Sequence, residues 1–111
     1  MERPPEPFAI DESSRDGTTV LTLRGELDLA YADELTARLG ELRDRCEPVL
    51  LDLDQLEFID SSGLRVLLKA TQDSKDGAWR FHVTPGSPAV ARLLRGAGLE
   101  GRLPTVEGPV E

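Results

Sequence analysis

Short apolar runs that suit β-strands alternate with stretches of helical periodicity, and this alternation limits the possible folds more than any other feature. The clearest helix carries apolar residues at intervals of three and four: Ala32, Leu35, Leu39, Leu42 and Cys46. Pro48 stops this helix, and Val49–Leu53, interrupted only by Asp52, then suits a strand buried on both faces. Strand–helix–strand alternation predicts an α/β fold with parallel strands and helical crossovers.

The remaining elements make the predicted sheet mixed. Asp16-Gly17 is a hairpin signal between a strand starting at Phe8–Ile10 and a strand at Thr18–Leu23, which Gly25 should end. Ser61 and Ser62, both good N-caps, predict a second helix. Three further elements are predicted: a strand at 79–83, a third helix at Ala89–Arg95 with Pro88 in its first turn, and a last short strand at Leu99–Leu103. The expected order is β-β-α-β-α-β-α-β.

The length and the net charge limit how many domains the chain can form and which classes of partner it can bind. The 111 residues predict one domain, residues 8–103, between proline-rich flexible tails at 1–7 and 104–111. A net charge of −8 argues against nucleic acid and against direct contact with an anionic membrane. One cysteine and one histidine leave no disulfide and no Cys- or His-rich metal site, and we expect no cofactor. No apolar segment follows Met1, so we expect a cytoplasmic protein without a secretory signal.

Three patterns resemble catalytic motifs, and each has a simpler explanation. Residues 96–101 match G-x-G-x-x-G, but a helix precedes them, so a helix cap and turn is favoured over a dinucleotide site. His82 alternates with apolar residues as a strand-surface residue would, and Ser61 lacks the first glycine of a hydrolase nucleophile elbow. Asp52 and Asp54 have no accompanying metal-ligand set, and Asp52 suits a strand end or a hydrogen-bond network. We therefore expect a protein that is not an enzyme.

One segment, Phe58–Arg65, keeps two interpretations open. Asp60, Ser61 and Ser62 stand where a buried strand is expected to meet an amphipathic helix, so they suit a helix cap. The same position exposes a hydroxyl to the positive end of the helix dipole, where a phosphoryl group would add about −1.5 to −2 charges to an acidic surface. A single modified serine would then repel a partner without any catalytic apparatus.

At these residues the sequence resembles the STAS domain family (sulfate transporter and anti-sigma factor antagonist), in particular the stand-alone antagonists. Leu23–Asp28 is similar to the family's L-x-G-E-L-D turn, and Ile59–Leu64 to its phosphorylation loop, D-S-[ST]-G-L. Ser87–Leu94, followed by Gly98-Leu99, resembles the family's third helix and its exit. The resemblance implies a mixed sheet with helices mainly on one face. It also implies a partner switch that, when unphosphorylated, binds an anti-sigma factor and frees a sigma factor.

The resemblance also implies partners and site residues. The anti-sigma factor would be a serine kinase of the histidine-kinase-like ATPase fold, opposed by a metal-dependent serine phosphatase. Ser61 would be phosphorylated; the loop and the partner contact would comprise Asp28, Asp60, Ser62, Gly63, Leu64 and Arg65. The alternative within the family is an accessory subunit of a membrane lipid transporter, which would bind its partner without phosphorylation.

Two departures from the family pattern stand out. Many antagonists have glycine where this chain has Arg65, which adds a charge to the expected contact surface and could pair with a phosphate on Ser61. The closing fourth helix of the family is expected to be absent here, because residues 104–111 hold two prolines and a glycine.

Overall fold

The computed structural model describes residues 8–106, which form a five-stranded mixed sheet and three helices. The elements in chain order are β1 Phe8–Arg15, β2 Thr18–Leu27, α1 Leu29–Asp44, β3 Val49–Asp52, β4 Leu56–Ile59, α2 Ser61–Gly77, β5 Phe81–Val83 and α3 Pro88–Gly96. The sheet order is β1-β2-β3-β5, and β4 also pairs with β2. The α/β prediction with a mixed sheet is confirmed, since only the β1–β2 pairing is antiparallel.

Strand β2 is longer than predicted and organises the sheet. Its first half pairs with β3 over Thr19–Thr22, and its second half pairs with β4 over Gly25–Leu27. The prediction that Gly25 ends this strand is wrong. Gly25 has a φ of 84°, yet β2 continues through it; the register with β4 shifts between Gly25 and Glu26, where Glu57 of β4 is the extra, unpaired residue. Strand β4 was not predicted, because four residues with only the two ends buried carry no clear alternation.

Helices α1 and α2 lie side by side and cover the sheet with their apolar stripes. Arg43 of α1 donates to Asp73 of α2 at 2.7 Å, and Lys69 binds the other oxygen of that carboxylate at 2.7 Å. Burial raises the pKa of Asp73, but the hydrogen bonds from Lys69 and Arg43 outweigh it and hold this pKa below its usual value. The stripe of α1 is buried as predicted except at Cys46, which is exposed because the helix ends at Asp44.

The C-terminal part differs from the prediction of a strand at Leu99–Leu103. Gly98 and Gly101 both have a φ of 78°, and this backbone turns where a strand was expected. The chain instead meets β5 later: Val83 donates to the carbonyl of Pro104, and Val106 donates to the carbonyl of Val83. The rest of the predicted tails, 1–7 and 107–111, lies outside the described residues.

The three patterns that resembled catalytic motifs have structural roles. Gly96 is the last residue of α3 and the turn follows it, so the glycine motif is a helix end. His82 is exposed on β5. Asp52 is both the last residue of β3 and part of a hydrogen-bond network, in which the hydroxyl of Thr84 is shared between the carboxylates of Asp52 and Asp54.

Replacing Thr84 with valine should destabilise the fold by about 2 kcal/mol, because the buried backbone N–H of Leu53 loses its hydrogen-bond acceptor. Thr84 is fully buried, and its hydroxyl accepts from the backbone N–H of Leu53 at 2.8 Å. Thr71→Val is the matched control. The Thr71 hydroxyl donates a second hydrogen bond to the carbonyl of Leu67, and this carbonyl keeps its helical backbone hydrogen bond when the hydroxyl is removed. Urea denaturation should give a lower free energy of unfolding for Thr84→Val than for Thr71→Val. Equal values would contradict the role of the Thr84 hydroxyl as a buried hydrogen-bond acceptor.

Candidate partner-binding site

The N-termini of α1 and α2 lie next to each other at one end of the sheet. Strands β2 and β4 run parallel, with Leu27 opposite Ile59, and each strand leads into a helix after a single residue. Those residues are Asp28 and Asp60, and the backbone N–H of Asp60 donates to the carbonyl of Leu27 at 3.1 Å. The structure therefore brings together two segments that are 32 residues apart in the sequence.

Asp60 is the N-cap of α2, so of the three cap candidates Asp60, Ser61 and Ser62 the aspartate fills this position. Its backbone is extended, with φ −101° and ψ −173°, and one carboxylate oxygen accepts from Ser62 N at 2.8 Å and Gly63 N at 3.1 Å. The backbone N–H of Leu64 donates to the carbonyl of Asp60 at 2.9 Å. An aspartate one residue earlier can satisfy two amides at once, so the serine hydroxyls are not needed for the cap.

Asp28 has the same role for α1. Its carboxylate accepts from Ala30 N at 3.0 Å, and its carbonyl accepts from Tyr31 N at 3.0 Å. The side chain is half-buried. Two capping carboxylates thus stand at the same end of the sheet and make this end acidic.

Ser61 is the first residue of α2, and its side chain is exposed. Within residues 8–106 its hydroxyl has no hydrogen-bond partner, whereas the neighbouring Ser62 is half-buried. An exposed, unengaged hydroxyl is a requirement for modification by another protein, and Ser61 meets it.

Gly63 allows α2 to approach the sheet closely. A Cβ at this position would lie 2.6 Å from Cγ1 of Ile59 and 2.9 Å from Cγ of Leu27, both of which are buried. Because those side chains come from β4 and β2, the glycine fixes the first turn of α2 directly over the paired strands.

Leu64 and Arg65 follow on the first turns of α2. Leu64 is half-buried and packs against the core, while Arg65 is exposed and forms no ion pair in the described part of the chain. Arg65 is four residues after Ser61, so both side chains lie on the same face of the helix. It is the only basic residue in the first two turns of α2.

Three exposed apolar side chains near this end were missed in the sequence: Leu29 at 75%, Phe58 at 41% and Leu68 at 39%. Leu29 is the first residue of α1, and Leu68 stands two turns after Ser61 on the same face of α2. Leu29 lies off the buried stripe of α1, and that position was the available signal. For Leu68 the sequence is misleading: the spacing of Leu64, Leu67, Leu68 and Thr71 predicts one inner face, and the exposure of Leu68 shows that this prediction is wrong for Leu68. Leu68 therefore adds an exposed apolar group to the helix face that carries Ser61 and Arg65.

The described residues, 8–106, contain neither a metal-binding cluster nor a membrane-spanning helix. No group of three or more His, Cys, Asp or Glu side chains within 8–106 is arranged to hold a metal ion. No helix in that range is long and apolar enough to cross a membrane.

The fold is that of a known family. The STAS domain profile matches residues 9–108, and the chain belongs to the STAS domain family.

Several of its relatives are named as anti-sigma factor antagonists. The chain is 32% identical to an anti-sigma F factor antagonist of Paenibacillus polymyxa, over 91% of this chain and 88% of that protein. It is 29% identical to the anti-sigma-F factor antagonist RsfB of Mycobacterium tuberculosis, over 86% of this chain and 79% of that protein. The crystal structure of an anti-sigma factor antagonist from Mycobacterium paratuberculosis superposes with a TM-score of 0.80 at 26% identity, covering 95% of this chain and 90% of that one. These relatives give no support to the transporter-subunit alternative.

Proposed function

We propose that this protein is an anti-sigma factor antagonist that switches partners through phosphorylation of Ser61. In its unphosphorylated form it binds an anti-sigma factor, which then releases its sigma factor. The observation that carries the proposal is the exposed, unengaged hydroxyl of Ser61 on the acidic end formed by Asp28 and Asp60. The names of its relatives support the same partner class.

The proposed contact surface combines apolar groups with the site residues. Leu29 and Leu68 would bury their exposed side chains against the anti-sigma factor, with Ser61 at the start of α2 on the same helix face as Leu68. Asp60 and Gly63 would hold the loop in shape, and Ser62, Leu64 and Arg65 would flank the contact. A phosphoryl group on Ser61 adds about −1.5 to −2 charges and would have to lose its hydration on binding, so it opposes the complex.

In this scheme the protein is a substrate and not an enzyme. The anti-sigma factor is a serine kinase of the histidine-kinase-like ATPase fold. The Oγ of Ser61 forms a bond to the γ-phosphorus of ATP, the bond from that phosphorus to the bridging oxygen breaks, and ADP leaves with the electron pair. The hydroxyl proton passes to a base of the kinase. A metal-dependent phosphatase hydrolyses the ester, and the cycle takes place in the cytoplasm, where sigma factors act.

Incubation with ATP and purified kinase-type anti-sigma factors should add one phosphoryl group to the intact protein, mapped to Ser61. Ser61→Ala should abolish the gain in mass, while Ser62→Ala should keep it. Both substitutions should leave the fold intact, because Asp60 and not a serine caps α2. A phosphate on Ser62, or a mass gain that persists in Ser61→Ala, would overturn the assignment.

A further inference from the structure

The amides at the start of α2 are already engaged, and this limits where a phosphate on Ser61 can bind. Ser62 N and Gly63 N donate to the Asp60 carboxylate, and Leu64 N donates to the Asp60 carbonyl. A helix N-terminus normally stabilises a phosphate through such free N–H groups. Here they are taken by a negatively charged side chain, so the cap repels a phosphate and offers it few donors.

Further acidic groups lie at this end. Asp28 caps the neighbouring helix, and the exposed Glu26 and Glu57 lie on β2 and β4. A phosphate of about −1.5 to −2 charges among these carboxylates needs a cation nearby. Arg65 is the only basic residue in the first two turns of α2, and it forms no ion pair within residues 8–106.

We propose that Arg65 is the phosphate-binding residue of the modified form: its guanidinium pairs with phosphoserine 61 along the face of α2. This inference rests on the proposed phosphorylation of Ser61. The spacing of four residues brings the two side chains together, since residues i and i+4 stack on one face. A helical side chain leans toward the N-terminus, so the arginine reaches toward the serine, and an anion preceding its cation is the favourable order. Two N–H groups of the fork can bind two phosphate oxygens.

The pair would shape the switched-off state of the protein. It neutralises part of the new charge, so the phosphate remains on the helix surface without displacing Asp60 from the cap. It also removes Arg65 from the contact surface in the phosphorylated form. When Ser61 is unmodified, Arg65 would be free to contact the anti-sigma factor. When Ser61 is phosphorylated, Arg65 would be bound to the phosphate.

The test is a ³¹P NMR titration of the full chain with phosphoserine incorporated at position 61 during translation. Pairing with Arg65 favours the dianion, so Arg65→Gln should raise the second pKa of the phosphoserine by about 0.3 unit. Arg65→Lys should restore about half of the difference, and 1 M NaCl should largely abolish it, because the Debye length then falls to about 3 Å.

Arg102→Gln is the matched control, since it removes the same charge far from Ser61. Arg102 lines a surface cavity with Ser74 and Lys75 near the other end of α2, about 20 Å from Ser61 along the helix. That variant should leave the phosphoserine pKa unchanged.

An Arg65→Gln titration that matches wild type would overturn the pairing, and so would phosphorylation-induced loss of the Asp60 cap seen at the Ser62 and Gly63 amides. Because the phosphoserine is incorporated directly, this result does not depend on any kinase. Failure of enzymatic phosphorylation would count against the proposed function, whereas an unchanged titration would count against Arg65 alone.

Discussion

Gly63→Ala is expected to destabilise the protein by about 2 kcal/mol, with a fall in Tm of about 10 °C. The added Cβ would lie 2.6 Å from Ile59 and 2.9 Å from Leu27, closer than carbon atoms approach in folded proteins. Ile59 is 2% exposed and Leu27 is fully buried, so neither side chain has room to move aside. The first turn of α2 must therefore shift away from the sheet, and this cost exceeds the gain of about 0.8 kcal/mol from placing alanine in a helix.

Gly40→Ala is the control, because it makes the same change inside α1 with a different environment. The nearest atom to a Cβ there is the end of the Arg43 side chain at 3.7 Å, an ordinary contact. This variant should therefore gain about 0.5–1 kcal/mol. Thermal and urea denaturation should give opposite signs for the two variants, and two stabilising substitutions would refute the close approach at Gly63.

The fold was largely predictable because its long elements follow simple rules. The α1 stripe at Ala32, Leu35, Leu39 and Leu42 is buried as its periodicity predicts. The errors fall where a local signal competes with pairing to a distant segment. Gly25 resembles a strand end, but the strand continues through it because β4 lies alongside.

The candidate site was predictable only in part. The motif around Ser61 marked the loop, but a linear sequence does not reveal that Asp28 and Asp60 stand on adjacent parallel strands. It also left Ser61 and Asp60 as equal candidates for the cap, since both residue types favour that position. The backbone geometry separates them, and it leaves the Ser61 hydroxyl free for modification.

Ser61→Asp is expected to weaken binding to the anti-sigma factor by about ten- to hundredfold, while Ser61→Ala binds within about twofold of wild type. The added carboxylate joins Asp28 and Asp60 on the surface where Leu29 would be buried, so binding must desolvate one more charge. Folding should not suffer, because an acidic residue in the first turn of a helix is favourable. The affinities are measured by isothermal titration calorimetry with the purified anti-sigma factor.

Ser13→Asp controls for charge alone. Ser13 is exposed on β1 opposite Val20, seven residues along β2 from Leu27, which places it about 23 Å from the site. This variant carries the same added charge as Ser61→Asp but beyond the Debye length at 0.1 M salt, so it should bind like wild type. If Ser13→Asp and Ser61→Asp weaken binding equally, total charge governs the complex and the switch does not depend on where the charge is placed. If Ser61→Asp binds as tightly as Ser61→Ala, a negative charge at this serine does not oppose docking, and the electrostatic switch is refuted.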